Sequence, residues 1–130
     1  MTEDYIRDWL AKADNDLKSV EHELGLEEGE VLRDIACFHC QQAAEKYLKA
    51  FLIFHQVEFP KTHNVEYLLE ECAKIDAVFS CIDVKELTSF AVDVRYGDEF
   101  YMPDMEEVEY YYTLAKTIKV MVMEAISPSR

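Results

Sequence analysis

The segment from Val31 to Gln56, "VLRDIACFHCQQAAEKYLKAFLIFHQ", constrains this chain most. It holds neither glycine nor proline, and Ala36, Cys40, Ala44, Tyr47, Leu48, Phe51 and Leu52 recur at the spacing of one helix face. A helix over 31–56 would be roughly 39 Å long at the α-helical rise. Its small residues Ala36, Ala43, Ala44 and Ala50 let neighbouring helices approach closely. Residues 47–54 are apolar nearly all round, which places this part at the centre of a bundle or in a subunit interface. A helix of this kind can be buried only by others packed around it.

The rest of the chain supplies them. Residues 3–24 carry a stripe of Ile6, Trp9, Leu10, Ala13, Leu17, Val20 and Leu24, and Gly25 is a natural residue to follow the helix end. Pro60 stops the long helix from extending, and Thr62 is expected to cap a helix over about 63–75 that turns Val65, Leu68, Leu69 and Cys72 inward. Residues 76–82 read as a loop. Asp83 with Glu86 resembles a capping box ahead of Leu87, Phe90, Ala91 and Val94. Asp104 with Glu107 is a second such box, just after Pro103, and opens a helix over 104–126. Three glycines and three prolines leave few breaks in this pattern. The expected fold is all-α, an antiparallel up-down bundle of four helices with one additional short helix, in a single domain over 1–130.

The formal net charge is −14, from 27 acidic and 13 basic residues. Nucleic acid is therefore disfavoured as a partner, because phosphate binding needs clustered Lys and Arg. The acids are densest in "EHELGLEEGE" (21–30) and "DMEEVE" (104–109), which read either as solvated helix ends or as a surface for a basic protein. No run of ~18 apolar residues is present to span a membrane. The charged start "MTEDYIRDWL" lacks a signal-peptide pattern, so a cytoplasmic location is expected. Cysteines 37, 40, 72 and 81 are then expected as reduced thiols. "CFHC" (37–40) has no second CxxC and lies inside a helical pattern, so neither a metal nor redox chemistry is expected of it.

The polar series Gln41, Gln42, Glu45, Lys46 and Lys49 interrupts the apolar helix. Glu45 and Lys49 stand at i, i+4 in the favourable order. One reading is a solvated face with salt bridges. The other is the wall of a groove that offers Lys46 and Lys49 to phosphate. Arg33 and His39 have five residues between them, but six helical steps leave the two side chains about 120° apart, so they would not converge on one phosphate. His63, expected in a first helical turn, reads as a hydrogen bond across a loop. His22 and His55 have no evident partners in sequence.

The stretch "CQQAAEKYLKAFLIFHQVEFPKTHNVEYLL" (40–69) resembles the signature region of HEPN domains. That pattern has a long helix with a QQAAEK-like run and then KA-L, a loop ending in Thr-His, and an amphipathic helix. The order and length of the remaining segments agree with it. The resemblance implies a small helical bundle that forms a homodimer. It also implies a frequent partner, a minimal nucleotidyltransferase, in toxin–antitoxin or related two-component pairs. Some members are metal-independent ribonucleases; others bind nucleotides or have lost activity.

The ribonuclease branch uses an Arg, four to six intervening residues, then a His. The Arg holds the scissile phosphate and the imidazole moves the proton. In "RYGDEFY" (95–101), Arg95 and Tyr96 match the start of that motif, but Phe100, Tyr101 and Met102 stand where the His belongs. A phenol with an ordinary pKa of about 10 is a poor base near neutral pH. The resemblance therefore implies a non-catalytic HEPN protein, partner of a minimal nucleotidyltransferase. No resident cofactor is expected, and a nucleotide is the ligand the family suggests, with Lys46, Lys49, His63, Arg95 and Tyr96 as the candidates to face it. The alternative is a metal-independent ribonuclease toxin using Arg95 with a non-standard acid/base.

Overall fold

A computed structural model describes residues 2–84, 87 and 102–126. The Asp83–Glu86 capping box, the stripe from Phe90 to Val94, and both Arg95 and Tyr96 lie wholly or partly outside the described residues. The chain is an all-helical bundle. Among the described residues, four α-helices, α1 (Thr2–Leu24), α2 (Arg33–Phe54), α3 (Val65–Ile75) and α4 (Met105–Ile126), are joined in part by short 3-10 turns at Glu28–Glu30 and Ala77–Cys81. The second turn occupies the stretch expected as loop. Asp76 starts it by accepting the Val78 N–H on its side chain at 3.1 Å.

The long apolar helix is the hub. Tyr47, Leu48, Ala50, Phe51 and Leu52 on α2 are all fully buried, together with Val20 of α1, Leu68 of α3 and Ile118 of α4. Full burial of a side chain of Leu or Phe size stabilises the fold by about 1.5–3 kcal/mol. α1 runs antiparallel to α2: Glu23 meets the Leu32 N–H at 2.8 Å, Asp16 meets His39, and Asp14 meets Tyr47. α4 is antiparallel to α1, with the Tyr112 hydroxyl donating to Glu21 at 2.7 Å and Lys119 lying 3.3 Å from Asp14. The 55–64 connection carries the chain back beside the middle of α2. His63, Cys72 and Phe79 then meet Glu45, Leu48 and Phe51 in that order.

The helix ends show how far local chemistry decides. At the start of α4, the Asp104 N–H donates to Glu107 at 3.0 Å and the Glu107 N–H donates to Asp104 at 2.8 Å, a reciprocal capping box. At α3 the cap is Asn64, not Thr62: Asn64 accepts the Tyr67 N–H at 3.0 Å, while Thr62 accepts the N–H of Asn64 itself. α3 accordingly begins at Val65, and His63 precedes the helix rather than sitting in its first turn. α2 ends in a Schellman motif. The Val57 N–H donates to the Leu52 carbonyl and the Gln56 N–H to the Ile53 carbonyl, both at 2.9 Å, with Gln56 at φ 61°. Gly25 ends α1 differently: its N–H is shared between the Glu21 and His22 carbonyls, at a φ outside the left-handed region.

Candidate functional site

The polar series on α2 is not a solvated face. Gln41, Glu45 and Lys49 are buried, at 0%, 3% and 6% exposure. They survive there because they satisfy one another. The Glu45 carboxylate accepts from the Lys49 ammonium at 2.8 Å and from the Gln41 amide at 2.8 Å. The Gln41 amide also donates to the His63 carbonyl at 3.2 Å, and the Gln42 amide donates to the Gln41 oxygen at 2.7 Å. His63 Nδ1 completes the cluster, 3.0 and 3.2 Å from the two Glu45 oxygens.

An ionised carboxylate only accepts, so Nδ1 of His63 carries the proton and donates it to Glu45, leaving Nε2 free. Burial alone would push the Glu45 carboxyl up. Hydrogen bonds from Lys49, His63 and Gln41, with the Lys49 charge, outweigh it and hold the group below the usual carboxylate range. The Lys49 ammonium also lies 5.6 Å from the Trp9 ring centroid and 5.8 Å from that of Phe59, within cation–π range of both. Trp9 Nε1 is buried beside this group with no hydrogen-bond partner among the described residues.

A second polar network joins α1 to α2. Asp16, 8% exposed, accepts from Lys46 at 2.5 Å on one oxygen and from His39 Nδ1 at 2.8 Å on the other. Two residues earlier on α1, Asp14 accepts from the Tyr47 hydroxyl. Burial, then that hydrogen bond and the charge of Asp14, push the Tyr47 phenol far above its ordinary range, so it remains a proton donor.

The structure thus brings Lys49 and His63 to one carboxylate and sends Lys46 to another. Arg33 and His39 diverge as their helical angle predicts: Arg33 Nε donates to the Pro103 carbonyl at 2.7 Å, and His39 turns to α1. The pairing of Asp16 with His39 is not anticipated from the sequence. A signal existed, since Asp16 flanks the buried Ala13–Leu17–Val20 stripe and a carboxylate there needs a partner.

Both networks share one device, an imidazole fixed through Nδ1 by a buried carboxylate. Such a ring can hydrogen-bond an anion or move a proton at Nε2. Thiol chemistry has no comparable support. Cys37 and Cys40 are fully buried in the core, and burial raises the Cys37 thiol to about 12. Among the described residues, no group of three or more His, Cys, Asp or Glu is placed to hold a metal ion. No helix among them is long and apolar enough to cross a membrane.

The crystal structure of ST0689, an archaeal HEPN homologue, superposes with a TM-score of 0.66 over 94% of this chain and 98% of that one, at 22% identity. At that identity the likeness shows the fold. No curated protein matches the chain. The sequence profile of the HEPN domain matches residues 6–125, nearly the whole length, and the chain belongs to the HEPN domain family.

Proposed function

We propose that this HEPN protein is the non-catalytic partner of a minimal nucleotidyltransferase in a toxin–antitoxin-like pair, acting as a cytoplasmic homodimer and contributing to a nucleotide site. The observation that carries this reading is the fate of the two α2 lysines. Lys46 ends on Asp16 and Lys49 on Glu45, so both charges are spent inside the subunit instead of forming a cationic track for a polynucleotide. The net charge of −14 suits a protein partner with a basic face. His63, held through Nδ1 by Glu45 on a mostly exposed side chain, is the member of the candidate set best presented to a nucleotide phosphate. Arg95 and Tyr96 are its expected companions. Native co-purification with identification by mass spectrometry tests the pairing. Recovery of a minimal nucleotidyltransferase supports it, and recovery of the homodimer alone removes it.

The His63–Glu45 pair also favours a second reading, the metal-independent ribonuclease. It supplies an imidazole from outside the Arg-to-His motif, oriented as a general base is oriented. Incubation with total RNA in EDTA separates the two. Cleavage lost in both Arg95→Ala and His63→Ala would establish the ribonuclease, whereas intact RNA supports the non-catalytic partner.

A further inference from the structure

A cleft of about 580 Å³ opens between the C-terminal half of α1 and the N-terminal half of α2. Lys18, His22 and His39 line it, with Asn15, Ser19 and Glu23. Its size suits a small molecule. Its chemistry departs from that of the chain as a whole. The protein has 27 acidic residues to 13 basic ones, yet two of its four histidines and a lysine face this one space. Among the described residues that line it, the acid is Glu23, whose carboxylate accepts the Leu32 N–H at 2.8 Å and so points one oxygen at the backbone.

The His39 ring is fixed. Its Nδ1 meets Asp16 at 2.8 Å, and the other oxygen of Asp16 is taken by Lys46. With Nδ1–H committed to that carboxylate, Nε2 is the ring nitrogen left for the cleft. The charge of Asp16 is met by Lys46, so Asp16 is free to act as a positioning residue for the imidazole. Ser19 donates to the Asn15 carbonyl at 3.2 Å and keeps its oxygen lone pairs.

We infer that the α1–α2 cleft binds a phosphate group, free or as a small monoester, with Lys18 as counter-charge and His39 Nε2 and the His22 ring as its hydrogen-bonding groups. Neutral His39 accepts from the P–OH of a phosphate monoanion, and protonated His39 donates to a dianion. The inference is independent of the nucleotidyltransferase reading, because the cleft shares no residue with the Gln41–Glu45–Lys49–His63 cluster.

The test is a titration of the whole chain with inorganic phosphate, AMP and adenosine, followed through the four histidine ring signals by NMR. Phosphate and AMP are expected to shift His22 and His39 saturably while His55 stays in place, and adenosine is expected to shift neither His22 nor His39; a separate response of His63 to AMP reports on the Glu45-held imidazole and not on the cleft. Lys18→Ala, a change on the cleft wall outside the core, is expected to weaken phosphate and AMP binding about tenfold or more, as loss of a charge-assisted contact does. Four outcomes overturn the inference: no saturable shift of His22 and His39, an equal shift of His55, adenosine binding as tightly as AMP, or unchanged affinity in Lys18→Ala.

Discussion

His63 Nδ1 lies 3.0 Å from Glu45 Oε1, yet the two side chains sit in different worlds: that of His63 is 62% exposed and that of Glu45 4%. The bond joins a buried charge to solvent. Glu45 is therefore a buried structural residue that also orients an exposed imidazole, and the two roles separate by mutation. Glu45→Gln leaves Lys49 buried at 6% without its carboxylate, and breaking a buried pair in this way costs about 3–5 kcal/mol. His63→Ala removes a mostly exposed partner and is expected to cost under ~1 kcal/mol. Urea midpoints of the two variants check this, and equal losses would show that the pair is not organised around Lys49.

The same carboxylate sets an acid limb. The folded pKa of Glu45 is depressed by its hydrogen bonds despite its burial, so the folded state binds its proton less readily than the unfolded chain. That contribution is fully present above the ordinary carboxylate value of about 4.3 and is lost as pH falls through the lower folded value. Wild type is expected to lose stability more steeply than Glu45→Gln between pH 5 and pH 3. Parallel stability–pH curves would contradict the assignment.

How much of this was legible in the sequence depends on where each partner comes from. The Asp104–Glu107 box is read correctly because both members sit within four residues and obey local geometry. Thr62 is misread as the α3 cap because Thr62 and Asn64 both offer an oxygen acceptor, and the chain uses the nearer one. The solvated-face reading of Gln41, Glu45 and Lys49 fails for a different reason. Periodicity shows polar residues on α2, but the 55–64 connection that folds back and supplies His63 is a tertiary event. The Asp16–His39–Lys46 network spans 23 and 30 residues of sequence, and no local pattern encodes it.

The cysteines give a direct check on the core. Cys37, Cys40 and Cys72 are fully buried, and burial raises the thiols of Cys37 and Cys72 to about 12, while Cys81 is exposed. At pH 8 a thiol of pKa about 12 is ionised in roughly one molecule in ten thousand, and the thiolate is the reactive form. Native protein is expected to release one equivalent from a thiol reagent rapidly, from Cys81, and four in denaturant. Rapid native reaction at Cys37 or Cys40 would return "CFHC" to consideration as a redox motif.

Gln56 holds φ 61° at the end of α2, where the Schellman motif needs a left-handed residue and glycine is the residue without a Cβ penalty. The left-handed conformation costs a non-glycine residue about 1–2 kcal/mol. Glycine in turn adds about 0.5–1 kcal/mol of unfolded-state entropy. The balance favours Gln56→Gly by up to about 1.5 kcal/mol, and the side chain it removes is exposed. Gln56→Val moves the other way, because a β-branched side chain fits this region worst. The pair is read by urea midpoint: glycine is expected to raise it and valine to lower it. A glycine variant less stable than wild type would mean that the Gln56 side chain contributes more at this turn than its backbone strain costs.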